Sequence, residues 1–466
     1  MVFSSMIFLW VFLPILLGIY FISKDKYRNI ILLLFSLLFY SWGEPKYIVV
    51  MLISIFANYI LGLIMDKYKF KKIILILSII FNLGLLFYFK YYDFTIFNLN
   101  KYFNFNLSLK NIVLPIGISF YTFQSMSYII DLYRGKIKVQ KNLLLLSLYV
   151  SFFPQLIAGP IVKYSEIEKQ LRKRDITISK FSIGVRRFVY GLGKKVIIAN
   201  TMAYIADIIF GLPISDMNTL LAWFGAICYT LQIYYDFSGY SDMAIGLGKM
   251  FGFDFLENFN LPYISKSITE FWRRWHISLS SWFKEYLYVP LGGNRKGKFR
   301  TYINLFIVFL ATGIWHGAAW TFIAWGLFNG LFNILEKLFL GKLLEKNKVK
   351  IINYIYTMLV VIFGWVLFRS ESLDYAIEYY KKMIIFDNST VLINMVNLIN
   401  LKTMLIFAIG IICCGPVQIL IKKLNVEAKL KNIYSYVEFI SVSFIMLICI
   451  MMLVSNTYNP FIYFRF

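Results

Sequence analysis

Histidine is almost missing from this chain: two in 466 residues, His276 and His316, forty positions apart. Neither stands in an HExxH pattern, and no metal site is expected from so few ligands. Cysteine is scarce as well. Cys228, Cys413, Cys414 and Cys449 all fall inside apolar segments without metal-ligand spacing. They read as small core residues, which excludes a disulfide framework. Acidic residues number 24 against 48 Lys plus Arg, leaving a net charge of +24. A P-loop, a dinucleotide fingerprint, a Ser-His-Asp order, low-complexity tracts and a convincing internal repeat are all absent. The familiar nucleotide-binding and hydrolase signatures therefore give no lead, and an inverted-repeat transporter has little support.

What the chain has in abundance is apolar surface. Hydrophobic residues make up 59% and charged residues 15%, more apolar area than a water-soluble domain can bury. The reading is an all-α integral membrane protein, multi-pass in the cell membrane, with about 10–12 transmembrane helices plus re-entrant and interfacial ones. The apolar runs are long and continuous, unlike the alternating ten-residue strands of a barrel. Aromatic residues at 19% suit belts at two interfaces. Lys and Arg cluster in short loops between spans, the pattern of cytoplasmic loops against anionic headgroups, so membrane lipids and no nucleic acid are the expected partners of the charge.

In chain order, residues 2–23, 29–43, 46–65 and 72–89 are apolar segments. The first has no basic residue ahead of it and reads as a retained helix rather than a signal peptide. Lys24, Lys26 and Arg28, then Lys67, Lys69, Lys71 and Lys72, mark two basic loops. The positive-inside rule places these in the cytoplasm and the N-terminus outside. Residues 91–110 become an external loop. The segment 142–162, broken at Phe153-Pro154-Gln155 and Ala158-Gly159-Pro160 and flanked by charge, reads as a re-entrant hairpin beside a cavity. Residues 181–211 and 217–240 go out and back, 241–300 lacks a clear span, and 301–340 is interrupted between Gly313 and Gly317. Later spans are expected at 350–368, 402–421 and 436–455. The whole chain, 1–466, is read as one polytopic domain with its motifs densest from about 234 to 330.

Candidate chemistry concentrates there. Projected as one helix, 272–286 puts Trp272, Trp275, Leu279, Trp282, Phe283 and Tyr286 on one apolar face, with His276 among them and Arg273, Arg274 and Lys284 off it. The arginines suit either lipid phosphate or the phosphates of a cofactor. His316 lies some fifteen residues into an apolar run beside Trp315, Gly313 and Gly317, close to bilayer mid-depth. An ionisable group at such depth faces the bundle interior or a watery cavity and is a functional candidate, and a neutral imidazole can take a proton from a hydroxyl. Asp236, Ser238, Tyr240 and Asp242 follow an apolar span, where carboxylates orient an imidazole or a substrate hydroxyl, or pair with Lys and Arg. Pro290-Leu291-Gly292-Gly293-Asn294-Arg295 is either a phosphate cradle or a plain turn.

Together these runs resemble the membrane-bound O-acyltransferase (MBOAT) family. The residues carrying the likeness are Trp272-Arg273-Arg274-Trp275-His276, the Pro290–Arg295 loop, Trp315-His316-Gly317, Asp236-Phe237-Ser238-Gly239-Tyr240-Ser241-Asp242 and Asn459-Pro460-Phe461-Ile462-Tyr463-Phe464. Within the family the chain is most similar to the bacterial alginate O-acetyltransferase-like branch, with the teichoic acid D-alanyl transfer membrane protein as a cousin. The resemblance implies helices around a thin central core with funnels from both faces. It implies catalytic roles for His316 and His276, and no bound cofactor. The acyl donor would be a cytoplasmic thioester, acetyl-CoA or another. The acceptor would be a hydroxyl on an extracytoplasmic acyltransferase partner protein or an exported glycan, giving O-acetylation of a cell-surface polysaccharide. Trp272, Arg273, Arg274, Trp275, Asp236, Ser238, Tyr240, Asn294 and Trp315 are the expected substrate-binding set. D-alanyl transfer from a carrier-protein thioester is the alternative chemistry. A non-catalytic glycan or lipid transporter is the alternative of another class, and a membrane scaffold leaves the deep histidine without a purpose.

Overall fold

A computed structural model describes residues 1–387, 399–424, 431–455 and 458–462. Helices account for all the regular structure among these residues, as lipid demands of backbone whose polar groups have no water to meet. The chain forms two compact units, residues 1–188 with 243–256, and residues 189–242 with 257–466.

The first unit contains α1 (Leu13–Ile22), α2 (Asp25–Gly43), α3 (Ile48–Lys67), α4 (Lys71–Phe103), α5 (Ile118–Tyr133), α6 (Leu143–Ser151), α7 (Phe153–Leu156) and α8 (Tyr164–Arg172). Between α3 and α4, Asn58 and Asn82 exchange amide hydrogen bonds of 2.8 and 3.1 Å, and Ser78 Oγ donates to Asn58 Oδ1 at 3.2 Å. Such paired amides bind helices in an apolar medium, where each alone would be an uncompensated polar group. The expected external loop over 91–110 is corrected: α4 runs on through Phe103 and stops where Asn104 turns left-handed. No glycine or proline interrupts 91–103, so its polar residues do not end the helix. The broken segment after 142 is present, with Asn142 capping α6 and the chain bending at Phe152 before the short α7.

α9 (Ile178–Gly193) passes through a π-helical stretch, Lys194–Ala199, into α10 (Asn200–Phe210). α11 (Thr219–Met250) is a 32-residue helix, so the Asp236–Asp242 run lies inside a helix rather than after one. The second unit continues with α12 (Ile268–Arg274), α13 (Ile277–Phe283), α14 (Gly297–His316), α15 (Trp320–Leu335), α16 (Gly341–Lys346), α17 (Lys350–Arg369) and α18 (Leu373–Ile384). Helices Leu401–Cys413, Pro416–Leu424 and Lys431–Ser455 follow. The projected single helix over 272–286 is also corrected. It is two short helices with a break at Trp275-His276, followed by a π-helical turn at Lys284–Tyr288. The inward face survives the break, since Trp275, Leu279, Trp282, Phe283 and Tyr286 are buried and Arg273 is exposed.

Among the described residues five helices are long and apolar enough to cross a membrane: Ile48–Lys67, Lys71–Phe103, Trp320–Lys346, Lys350–Arg369 and Ser435–Ser455. Phe8–Ile22 and Leu401–Cys413 are shorter apolar helices. The larger expected number also counted segments that are too short or too polar to qualify alone, α11 with its two aspartates among them.

Candidate active site

Glycine decides how α14 meets α15. A Cβ on Gly313 would stand 2.5 Å from the Phe322 carbonyl oxygen, and one on Gly326 would stand 2.4 Å from that of Phe309. Backbone-to-backbone approach of this kind is how membrane helices gain contact without a hydrophobic drive between them. It brings Trp325 of α15 and Phe368 of α17 against His316, the last residue of α14. Ring centroids lie 4.9 Å (Trp325), 5.2 Å (Phe368) and 5.0 Å (Trp315) from the imidazole, all edge-on. The ring is 9% exposed and borders a cavity of about 20 Å³ walled by Ile233, Phe237, Trp275, Trp365 and Ile462 as well as Trp325 and Phe368. That volume holds roughly one water-sized group.

His276 is held quite differently. Its backbone is left-handed, φ 44°, a region a non-glycine residue enters at a cost of order 1–3 kcal/mol. Asn258 compensates. Its Oδ1 accepts from Ser278 N at 3.1 Å and Ser278 Oγ at 2.9 Å, and its carbonyl accepts from Ile277 N at 2.9 Å. Since that Oδ1 is an acceptor, His276 Nδ1, 3.2 Å away, is the donor, and the other ring nitrogen keeps its lone pair. The imidazole is 1% exposed and edge-on to Phe237 at 4.6 Å. Burial pushes its pKa down to about 3, so it is neutral at physiological pH. Trp315 joins the two histidines, its ring 6.2 Å from His276 and 5.0 Å from His316.

Asp236 sits mid-α11 in an ion pair with Lys195 at 2.7 Å, both side chains 2% exposed. Its Oδ2 accepts from Ile462 N at 2.8 Å, while Lys195 Nζ also donates to the Pro460 carbonyl. The pair therefore ties down the C-terminal stretch whose Ile462 walls the His316 cavity. Tyr240 packs its ring on Phe461 at 4.6 Å. Gly239 permits the approach, because a Cβ there would meet the Gly191 carbonyl at 2.7 Å. Ser238 is buried, its hydroxyl without a hydrogen-bond partner among the described residues.

The fold thus gathers His276, His316, Trp275 and Trp315 into one aromatic cluster, with Trp272 joined through its ring contact to Trp325 at 5.6 Å. Asp236 and Tyr240 support the cavity wall through the C-terminal stretch. Three expected residues stand apart. Arg274 is engaged by Glu270 at 2.8 and 2.9 Å and by the Asn260 carbonyl at 3.1 Å. Arg273 is exposed. Asn294, also exposed, accepts from the Tyr288 hydroxyl and from Lys337 at 3.3 Å. It precedes α14, and its loop lies against Asn304, which stands 12 residues, about 18 Å, along that helix from His316. Its loop is a turn by geometry, with positive φ at Gly292, Gly293 and Gly297 and with buried Asn304 donating to the Gly293 carbonyl at 2.9 Å. Sequence reasoning missed Lys195, Asn258, Trp325, Trp365 and Phe368. A lysine just past an interfacial-looking stretch and tryptophans in apolar helices give no local signal of what they will face. The tail motif beyond Ile462 lies outside the described residues.

The sequence pattern of the MBOAT, membrane-bound O-acyltransferase family, matches residues 38–374. The probable alginate O-acetylase AlgI of Pseudomonas putida is 47% identical over 394 residues, covering 83% of this chain and 81% of that protein. The peptidoglycan O-acetyltransferase of Helicobacter pylori is 36% identical over 421 residues, covering 82% and 80%. The teichoic acid D-alanyltransferase of Bacillus subtilis is 31% identical over 283 residues, covering 56% and 70%. With two buried histidines joined by a tryptophan inside the matched region, and with relatives similar along most of their length, the chain belongs to the membrane-bound O-acyltransferase family and is a multi-pass membrane O-acyltransferase.

Proposed function

We propose that this protein moves an acetyl group from a cytoplasmic thioester, acetyl-CoA, to a hydroxyl on an exported polysaccharide or on an extracytoplasmic acyltransferase partner, with His316 as general base. The observation that carries the reading is the His316 imidazole at the C-terminal end of α14, beside a small aromatic-walled cavity. The acceptor oxygen attacks the thioester carbonyl carbon while its proton passes to the imidazole. The tetrahedral intermediate then expels the thiolate, which takes that proton and leaves as the thiol. His276, neutral and fixed by Asn258, positions Trp315 against His316. The basic turns at Lys24–Arg28 and Lys67–Lys72 support a cytoplasmic donor side with the N-terminus outside.

Acetyl is preferred to D-alanyl because relatives named as alginate O-acetylases reach 47% identity and those named as D-alanyltransferases 31%. The test reconstitutes the full chain in vesicles with acetyl-CoA on one side, acceptor polysaccharide on the other, and a D-alanyl carrier-protein thioester in parallel. Acetyl ester formation with matching thiol release is expected. Transfer of D-alanine alone, or of neither group, would overturn the assignment.

A further inference from the structure

The first unit carries another, open cavity of about 860 Å³ whose rim holds Lys71, Lys138, Lys141 and Arg172 against a single carboxylate, Asp66. We propose that this cavity binds the phosphate headgroup of an anionic membrane lipid. Three observations converge. The first is charge: Arg172 shares Glu168 at 3.2 Å, while Lys71, Lys138 and Lys141 have no ion pair among the described residues. An uncompensated cationic rim over a cavity attracts a phosphate, each lysine near the surface contributing about 1 kcal/mol toward an anionic lipid.

The second is construction. The loop carrying Lys138 and Lys141 is not a loose tether. Gln140 between them is buried, donates Nε2 to Tyr164 Oη at 2.7 Å, receives Asn142 N at 3.0 Å on Oε1, and has its own N–H on Tyr128 Oη at 3.1 Å. Tyr59 Oη donates to the Lys141 carbonyl at 2.8 Å. Ile137 and Val139 alternate inward and leave Lys138 outward, so the backbone that carries the cations is pre-set before a ligand arrives, which lowers the ordering cost of binding.

The third is position. Met65 and Asp66 lie in the last turn of α3 and Lys71 opens α4, both of them candidate membrane spans. The cavity therefore sits at the ends of two spans, at headgroup level, and its floor of Met65, Leu132, Ile137, Val139 and Leu145 suits the acyl end of a lipid better than a free ion.

The experiment is native mass spectrometry of the detergent-solubilised full chain titrated with phosphatidylglycerol, phosphatidylcholine or inorganic phosphate. Phosphatidylglycerol is expected to be retained over phosphatidylcholine. Retention should fall about 10–30-fold in Lys138→Gln/Lys141→Gln and stay near wild type in Lys138→Arg/Lys141→Arg and in the second-unit control Lys342→Gln/Lys348→Gln. Equal retention of the two lipids, a double glutamine variant that binds as wild type, or displacement of the lipid by inorganic phosphate at similar concentration would each overturn the proposal.

Discussion

His276 stands where the chain is broken between two short helices, its backbone left-handed and its Nδ1 on Asn258; His316 ends a regular 20-residue helix with three aromatic rings against it and a cavity beside it. One imidazole is fixed by polar neighbours and backbone geometry; the other is packed among three aromatic rings at the edge of a cavity. A group that must accept and return a proton is served by the second arrangement, which holds the ring at the edge of a cavity. The first arrangement suits a part that sets the shape of its surroundings. The proposed mechanism accordingly gives the chemistry to His316 and the placement of Trp315 to His276.

The largest effect that sharpens this contrast is on rate. Acetyl transfer by His316→Ala should fall about 10²–10⁴-fold, read as ester formed per folded protein. Wild-type thermal stability should accompany it. Next comes the ion pair beneath the cavity wall. Lys195→Met leaves Asp236 buried without its partner and should cost about 3–5 kcal/mol in stability. The double variant Lys195→Met/Asp236→Leu should recover most of that loss in a denaturation midpoint measured in detergent. Asn258→Ala should cost about 1–3 kcal/mol and lower transfer less than His316→Ala does. A fall as deep as that of His316→Ala with intact stability would break the division of roles.

A smaller effect concerns pH. His276 has its pKa lowered from 6.5 to about 3, so between those values the unfolded chain binds more protons than the folded one. Its contribution to stability is complete above 6.5 and declines as pH falls, by about 1.4 kcal/mol per pH unit. The thermal midpoint of the wild type should therefore drop more between pH 7 and pH 5 than that of His276→Asn. Least of all is expected from Arg273→Ala: an exposed side chain off the cluster should change stability by less than about 0.5 kcal/mol and leave transfer near wild type.

Much of this was legible in the residues. Continuous apolar runs announced helices, and Gly313 and Gly317 around His316 announced the break after α14, because a small residue is the signature of close approach or a turn. Helix ends were harder. Tyr91–Phe103 reads as loop by composition, yet Asp93 and Asn100 bond the backbone of the stretch after the helix, at Lys110, Ile112 and Leu107, and only Asn104 ends the run. The break at His276 was invisible, since the hydrophobic period continues across it and Asn258, which makes the left-handed residue tolerable, lies 18 positions away. The same limit hid Lys195 and Trp325: periodicity reports which face is inward, not what waits there. Asn294 shows the converse, a motif residue that stays with its turn beside Asn304 while His316 lies at the far end of the helix.

The most direct test of a base at His316 is chemical rescue. Single-turnover acetyl transfer is measured for His316→Ala and His276→Ala with and without added imidazole, which fits the space that a deleted ring leaves. The account predicts that imidazole restores part of the lost rate in His316→Ala and none in His276→Ala. Undiminished transfer by His316→Ala without imidazole would contradict it.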